Sequence, residues 1–193
     1  DGPDHCGEIS VQRIDIDAPA WLPARGHAVA PSLFRDQLQP RPRNTHKGIY
    51  GDAGILGGNA GMVGAALLAG RAALWLGTGR VYVGLLDAKG PAVDFAHPEL
   101  MIRAAQALPG RLSALAVGPG LGTESTSASL LAAALERNVP LLLDADALNL
   151  SGADPTLKRA LAARTAPTVL TPHPAEAARM LGTDTASVQA DRL

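Results

Sequence analysis

The sequence has little cysteine, little net charge and no long apolar run. Cys6 is the only cysteine among 193 residues, which excludes an internal disulfide framework and a cysteine-cluster zinc site and is compatible with a reducing cytosol. The formal net charge is −1 and no long block of lysine and arginine is present, so an electrostatic footprint for nucleic acid is missing. Apolar runs such as residues 141–143 are far too short to span a bilayer. We therefore expect a cytoplasmic protein that contacts neither nucleic acid nor membrane.

The residues that are present are sufficient for a buried core. A hydrophobic content of 47% with 18% charged residues excludes wholesale disorder, and the length favours one domain, with or without a short appendage. Imperfect alternation over residues 7–17 predicts a half-buried strand. Several prolines in residues 21–45 leave few positions for a regular helix or central strand, so this stretch is predicted to be a linker.

From residue 46 onward, short apolar runs alternate with segments of helical periodicity. The predicted strands are residues 54–56, 81–86, 115–117, 141–143 and 168–170, and the predicted helices are residues 62–76, 98–108, 127–137, 155–163 and 174–181. This order predicts an α/β fold whose parallel strands are joined by right-handed crossovers. Residues 187–193 have the pattern of a helix opening, and residue 1 is not methionine. We therefore expect a fragment of a longer chain.

The first predicted helix carries small apolar residues at helical spacing, which predicts close packing of the helix on the sheet. These residues are Met62, Ala65, Ala66, Ala69, Ala72, Ala73 and Leu76.

Four turns follow apolar strands, and they cover residues 57–65, 118–122, 144–149 and 171–176. In an open parallel sheet, loops at the carboxyl ends of the strands line the ligand crevice. The first turn offers backbone N–H groups at a helix start, which suits an anionic ligand group, although a tight packing turn would have the same glycines. Its spacing matches neither a Walker loop nor a dinucleotide fingerprint.

The other turns carry polar side chains whose roles stay open. Asp144 and Asp146 could hold a metal, orient a ligand hydroxyl or cap the following turn. His173 lies between Pro172 and Pro174, where a rigidly held imidazole suits ligand contact better than packing, although a lone histidine is more often structural. Pro174 fits the first position of a helix.

Read together, six ordered segments resemble the C-terminal domain of the NAD(P)H-hydrate dehydratase family. The segments are His46-Lys47-Gly48 with Gly51, Gly57-Gly58 through Ala66, Pro98 through Met101, Gly118 through Gly122, Asp144 through Asn149, and Thr171 through Pro174 with Glu176 through Arg179. The resemblance implies a ribokinase-like α/β fold, with a mostly parallel sheet flanked by helices and incomplete at the C-terminus. It implies three parts: residues 1–22 as the tail of an epimerase-like domain, residues 23–45 as the linker, and residues 46–193 as the N-terminal part of the dehydratase domain.

The resemblance implies dehydration of NADHX or NADPHX to NADH or NADPH. It implies ADP or ATP as the phosphoryl donor and Mg²⁺ at the phosphates. It also implies that the full-length protein is a homo-oligomer. Carried over residue by residue, the resemblance implies substrate contacts at Ala65, Gly122 and His173, with Gly120 as a weaker candidate. Asp144, Asp146 and Asn149 would stand near the site without an assigned role. The catalytic aspartate of the family is expected beyond Leu193, so no catalytic residue and no metal ligand is assigned in this chain, and the fragment alone is expected to have little or no activity.

Two other functions remain open from the sequence. One is a small-molecule kinase of the same superfamily, such as a hydroxyethylthiazole kinase, which shares the glycine turns. The other is a non-catalytic nucleotide-binding module, which would bind without turnover.

Overall fold

A computed structural model of the chain describes residues 29–191 and, before them, residues 5–7, 10, 12, 14 and 15. The chain divides into two units, Asp1–Arg41 with Leu193, and Pro42–Arg192. In the first unit the described residues include two 3-10 helices, Pro31–Leu33 and Arg35–Leu38. The predicted strand at 7–17 and the epimerase-like tail at 1–22 lie largely outside the described residues, and the three-part division of the chain stays a prediction.

The second unit is built on a six-stranded parallel sheet flanked by helices. The strands are β1 Asp52–Gly57, β2 Arg80–Leu85, β3 Met101–Ala104, β4 Ala114–Val117, β5 Leu141–Leu143 and β6 Thr168–Leu170. The helices are α1 Val63–Trp75, α2 Ser125–Leu135, α3 Asp146–Ala153, α4 Pro155–Ala162, α5 Pro174–Leu181 and α6 Thr185–Ala190, with 3-10 helices at Lys47–Tyr50 and Ala105–Ala107. The expected α/β class is confirmed.

The strand order is β3-β2-β1-β4-β5-β6. The chain therefore moves outward from β1 to β3, returns to pair β4 with β1, and moves outward again to β6. The direction of winding reverses between β1 and β4, and in open α/β sheets this reversal is where ligands bind, outside the carboxyl ends of the strands.

Two apolar clusters pack on the sheet, one on each face. Ile55, Val81 and Val83 pack with residues of α1 on one face, while the larger cluster on the other face includes Leu115, Leu131 and Leu143. These side chains are almost completely inaccessible to solvent, so they supply the main hydrophobic stabilisation of the unit.

The close approach of α1 to the sheet occurs at Gly70. A Cβ placed there would lie 2.9 Å from Val83 Cγ2 and 3.1 Å from Leu100 Cδ2, so a larger residue would push the helix outward. The predicted stripe of small residues is right for Ala66, which is buried, and for Ala69 and Ala73, which pack on the same cluster. It is wrong for Met62, Ala72 and Leu76, which are exposed.

The predicted helix at 98–108 is wrong. Residues 101–104 form the edge strand β3, paired with β2 from Tyr82↔Met101 to Leu85↔Ala104, and Ala105–Ala107 forms a 3-10 turn. Alanine and glutamine in this segment favour a helix locally, but β2 offers an open pairing edge, and tertiary pairing overrides weak propensity.

Two further differences from the predictions concern α3 and α6. The turn after β5 continues directly into α3, whereas the sequence indicated only a turn at 144–149. The final helix begins at Thr185, two residues before the predicted opening, because Asp184 accepts a hydrogen bond from the Ser187 amide at 2.8 Å and caps it. Within the described part of the chain, no helix has the length and apolar character needed to cross a membrane.

One half of a sheet face lacks a covering helix among the described residues. Ile55, Ala116, Leu142 and Val169 are register neighbours across β1, β4, β5 and β6, and so share one face. Under α1, Ile55 is 3% exposed, whereas Leu142 is 38% and Val169 56% exposed. Because parallel sheets are ordinarily covered on both faces, the uncovered half-face formed by Leu142 and Val169 is an unusual exposed apolar surface.

Candidate functional site

The turns after β1 and β4 contact each other at the point where the direction of winding reverses. The Gly58 amide donates to the Pro119 carbonyl at 2.9 Å, and the Asn59 amide donates to the Gly120 carbonyl at 2.6 Å. Gly120 has φ +60°, is buried, and leaves room for no side chain, because a Cβ would lie 2.6 Å from the Met62 carbonyl oxygen. The observed role of Gly120 is therefore to let the two turns approach, and its predicted substrate contact stays a prediction.

Ala65 lies in the first turn of α1 and is half-buried. Its amide donates to the Met62 carbonyl at 3.1 Å. Within the described residues, the N–H groups of Gly61, Val63 and Gly64 have no hydrogen-bond acceptor. The start of this 13-residue helix therefore presents free donors and the positive end of its dipole, as an anionic ligand group requires.

Gly122 ends the second glycine turn and has φ +78°. Its amide donates to Asp146 Oδ2 at 2.8 Å, and a Cβ at this position would lie 2.7 Å from Asn59 Nδ2 and would collide with the Glu124 carboxylate. Asn59 Nδ2 in turn donates to Glu124 Oε2 at 3.1 Å. Gly122 is thus enclosed by three polar side chains from different elements.

Asn59 and Glu124 were missed as site residues by the sequence reasoning. Asn59 stands in the middle of the first glycine turn and Glu124 directly precedes α2. Position was the available signal, since both follow the carboxyl end of a predicted strand.

The turn after β5 reaches both neighbouring turns. Asp144 Oδ1 accepts a hydrogen bond from Thr171 Oγ1 at 2.8 Å, at the end of β6, while Asp146 reaches Gly122 after β4. Asn149 points elsewhere: its Oδ1 accepts from Arg179 Nη1 at 2.5 Å, which joins α3 to α5. Asn149 therefore has a packing role in this structure.

His173 begins α5. Its Nδ1 accepts a hydrogen bond from the Ala175 amide at 3.2 Å, its own amide donates to Glu176 Oε2 at 2.9 Å, and its Nε2 lies 3.1 Å from Glu176 Oε1. This capping box confirms the predicted helix start. The His173 side chain is 60% exposed, against 6% for Glu176, so the ring is held rigidly at its base while one side stays accessible.

The described carboxylates do not form a metal site. Those of Asp144, Asp146 and Glu124 accept hydrogen bonds from protein groups, and within the described ranges no group of three or more His, Cys, Asp or Glu side chains is arranged to hold a metal ion.

A part-buried ion pair between Arg71 and Asp94 fixes the segment after β2 against α1, away from the turns. Arg71 Nε and Nη2 donate to the two oxygens of Asp94 at 2.8 and 2.9 Å, and the Ala96 amide also donates to Asp94 at 3.1 Å. The hydrogen bond from Arg71 holds the pKa of Asp94 below its ordinary value, although burial opposes it, and the same bond raises the pKa of Arg71. The pair therefore favours the charged state of both side chains.

A family model described as NAD(P)H-hydrate dehydratase matches residues 53–193. The chain belongs to this family. Its ribokinase-like fold, expected from the resemblance, is likewise confirmed by solved structures.

Two curated relatives and one solved structure illustrate the relationship. The chain is 44% identical over 164 residues to an ADP-dependent (S)-NAD(P)H-hydrate dehydratase from Neisseria meningitidis, which covers 82% of this chain and 55% of the relative. It is 35% identical over 207 residues to a bifunctional NAD(P)H-hydrate repair enzyme from Coxiella burnetii, which covers 98% of this chain and 39% of the relative. A structure of the ADP/ATP-dependent NAD(P)H-hydrate dehydratase from Bacillus subtilis, co-crystallised with ATP/Mg²⁺, shows 31% identity and a TM-score of 0.65 over 84% of this chain and 58% of that one. The chain thus spans between about two fifths and three fifths of these proteins.

Proposed function

We propose that this chain supplies the hydrated-nucleotide half of an ADP-dependent NAD(P)H-hydrate dehydratase, which returns NADHX or NADPHX to NADH or NADPH. The observation that carries the proposal is the junction of the two glycine turns at the reversal between β1 and β4, beside free N–H donors at the start of α1. An anionic dinucleotide is the ligand class that this arrangement suits. The family membership favours dehydration over the kinase and the non-catalytic module.

Within this proposal, Ala65, Gly122, His173 and more weakly Gly120 contact the substrate. Ala65 and Gly122 follow adjacent strands, and His173 follows a strand two positions from that of Gly122. Two strand spacings correspond to roughly 10 Å, a span that an extended dinucleotide can bridge. Both ring nitrogens of His173 are engaged in the capping contacts, so its accessible ring would contact the ligand by packing against it.

The phosphoryl donor, ADP or ATP, and its Mg²⁺ belong outside the described residues in this proposal. In the reaction, transfer of phosphate to the substrate hydroxyl makes a good leaving group for elimination. The chain's own residues bind and orient the substrate. We place the proton acceptor in the segment of the family's domain that corresponds to positions after residue 193.

The whole protein's organisation is proposed on the same basis. The Coxiella burnetii bifunctional enzyme matches 98% of this chain, whereas the Neisseria meningitidis dehydratase matches 82%. This difference supports residues 1–22 as the end of an epimerase-like domain and residues 23–45 as a linker. We further propose a cytoplasmic location and, at full length, a homo-oligomer.

Binding is tested with Gly122→Ala in the 193-residue chain. In wild type, NADPHX at about 100 times its dissociation constant should stabilise the folded state by about 2.7 kcal/mol, measured as a thermal shift. The variant should lose most of this shift, because a Cβ at φ +78° would strain the turn and collide with Glu124. The matched control is Gly110→Ala, since a Cβ there meets no atom within 4 Å. Absence of a shift in folded wild type, or an equal shift in Gly122→Ala, contradicts the proposal.

Turnover is tested with the full-length protein and the 193-residue chain in parallel. We expect ADP-driven recovery of NADH from NADHX by the full-length protein and none by the shorter chain, followed by the fluorescence of reduced nicotinamide. Conversion by the shorter chain would overturn the placement of the proton acceptor. Phosphorylation of hydroxyethylthiazole in place of NADHX conversion would favour the kinase.

A further inference from the structure

The turn after β5 is the structural link between the turns that carry Gly122 and His173. Because β5 lies between β4 and β6, a residue leaving β5 can reach either neighbour. Asp144 bonds to Thr171, two residues before His173, and Asp146 bonds to the Gly122 amide, each at 2.8 Å. Two aspartates separated by a single residue thus contact opposite sides of the crevice.

Ala145 makes this double contact possible. It has φ +48° and ψ −115°, and among the described residues of the second unit it is the only residue other than glycine with positive φ. Such a conformation is strained for a side chain with a Cβ, and strain of this kind persists only where the surroundings hold it. The chain direction changes sharply here, which separates the directions of the two carboxylates.

Backbone contacts around the turn are tight enough to transmit its position. The Asp144 amide donates to the Val117 carbonyl at 3.0 Å, and the Thr171 amide donates to the Leu143 carbonyl at 3.2 Å. Gly118 packs directly on Asp144, since a Cβ at Gly118 would collide with the Asp144 carbonyl oxygen. The three strand ends are therefore fixed in register, and the aspartates extend that register into the turns.

We propose that Asp146 and Asp144 are positioning residues, which hold the turns of Gly122 and His173 at a fixed separation on the two sides of β5. The expected effect on substrate binding rests on the proposed function. The hydrogen bonds of Asp144 to Thr171 and of Asp146 to Gly122, which we call the aspartate contacts, do not depend on it. Asp146 makes the more direct of the two contacts, because it fixes the amide of Gly122 itself, whereas Asp144 bonds to Thr171, two residues before His173. The carboxylate acts through Gly122 and carries no proton in the reaction.

The activity test uses Asp146→Ala and Asp146→Asn in the full-length protein. Loss of a hydrogen bond to a charged acceptor should raise KM for NADHX by about tenfold or more in Asp146→Ala, with KM for ADP unchanged. Asp146→Asn keeps an oxygen acceptor and should recover most of the loss. A proton-transfer role would instead lower kcat equally in both variants, and a lower KM in Asp146→Ala would mean that the carboxylate competes with the ligand. Either result overturns the proposal.

The matched control is Asp154→Ala. Asp154 also accepts a backbone hydrogen bond, from the Thr156 amide at 2.7 Å, but it caps α4 and does not contact the turns. It should lower stability without a change in KM for NADHX. An equal rise in KM in both variants would show that the Asp146 effect comes from general loss of stability, and would also overturn the proposal.

A measurement without turnover separates this inference from the proposed function. Amide hydrogen exchange at Gly122 should be slow in wild type, faster by about tenfold in Asp146→Ala and nearly normal in Asp146→Asn. Thr171→Val, which removes the hydroxyl donor to Asp144, should increase exchange around His173 and leave Gly122 slow. If wild type does not convert NADHX but these exchange rates are observed, the proposed function is contradicted and the positioning role of the aspartates is supported. If wild type converts NADHX and Gly122 exchange is unchanged in Asp146→Ala, the positioning role is contradicted and the proposed function is supported.

Discussion

The two halves of one sheet face show how much a covering helix matters. Ile55 on β1 and Leu142 on β5 are separated by a single strand in the same row, and both are aliphatic. Ile55 lies under α1 and is 3% exposed, whereas Leu142 is 38% exposed, since none of the described helices packs above it. Strand sequence alone therefore does not decide burial. The uncovered half-face, Leu142 and Val169, is thus an exposed apolar surface of a kind that parallel sheets ordinarily cover.

The sharpest contrast is between neighbouring residues on one strand. Leu143 is fully buried on the opposite face, so Leu143→Ala in the 193-residue chain should lower the free energy of unfolding by about 2–5 kcal/mol. Leu142→Ala should cost much less, because the side chain already contacts solvent. Urea unfolding of both variants measures the difference. Equal losses would mean that Leu142 is covered in solution.

The same Leu142→Ala substitution in the full-length protein sharpens the comparison. If the remaining part of the protein covers the half-face, the loss should rise toward that of Leu143→Ala. A loss as small as in the shorter chain would show that the half-face stays open.

On the half of the sheet that α1 covers, the free energy of unfolding should decrease in acid because of Asp94. Because the pKa of Asp94 is lowered in the folded state, its ionised pair with Arg71 contributes fully above the unfolded pKa, near 3.8, and this contribution is lost as the pH falls through the lower folded value. Wild type should therefore lose stability over this acidic window more steeply than Asp94→Asn, which should be less stable at neutral pH. Denaturant unfolding at a series of pH values tests this, and parallel curves for the two proteins would contradict it.

The smallest effect is expected on the outer face of α1. Trp75 is 81% exposed and contacts the His97 ring edge-on at 6.3 Å between centroids. Trp75→Ala should change the free energy of unfolding by no more than about 0.5 kcal/mol if this face is open in solution. A larger, concentration-dependent loss would indicate that a second copy covers it, in line with the proposed homo-oligomer.

Local signals in the sequence predicted much of the second unit. The start of α5 is encoded locally, because Pro174 suits the first position of a helix and Glu176 its first turn. The cap that His173 forms there was not predicted. The glycine turns were readable for the same reason, since positive φ at Gly122 and close approach at Gly120 each require glycine. Most strand positions followed from short apolar runs.

Nonlocal contacts account for the errors and omissions. The segment at 98–108 has helical propensity, and only the presence of β2 beside it makes residues 101–104 a strand. The sequence assigned no role to Asn149, because its partner Arg179 is 30 residues away and lies on α5. The contact of Gly122 with Asp146 spans 24 residues, and no periodicity marks it.

The sequence by itself determined the α/β class, the positions of the turns and the family, because these depend on residue types at short spacing. Only the tertiary structure decided which strand ends meet, which half of the sheet is covered, and how Asp144 and Asp146 reach opposite neighbours. The physical reason is that these features depend on the order of strands in the sheet. That order is set by the packing of segments distant in sequence, which local propensity does not record.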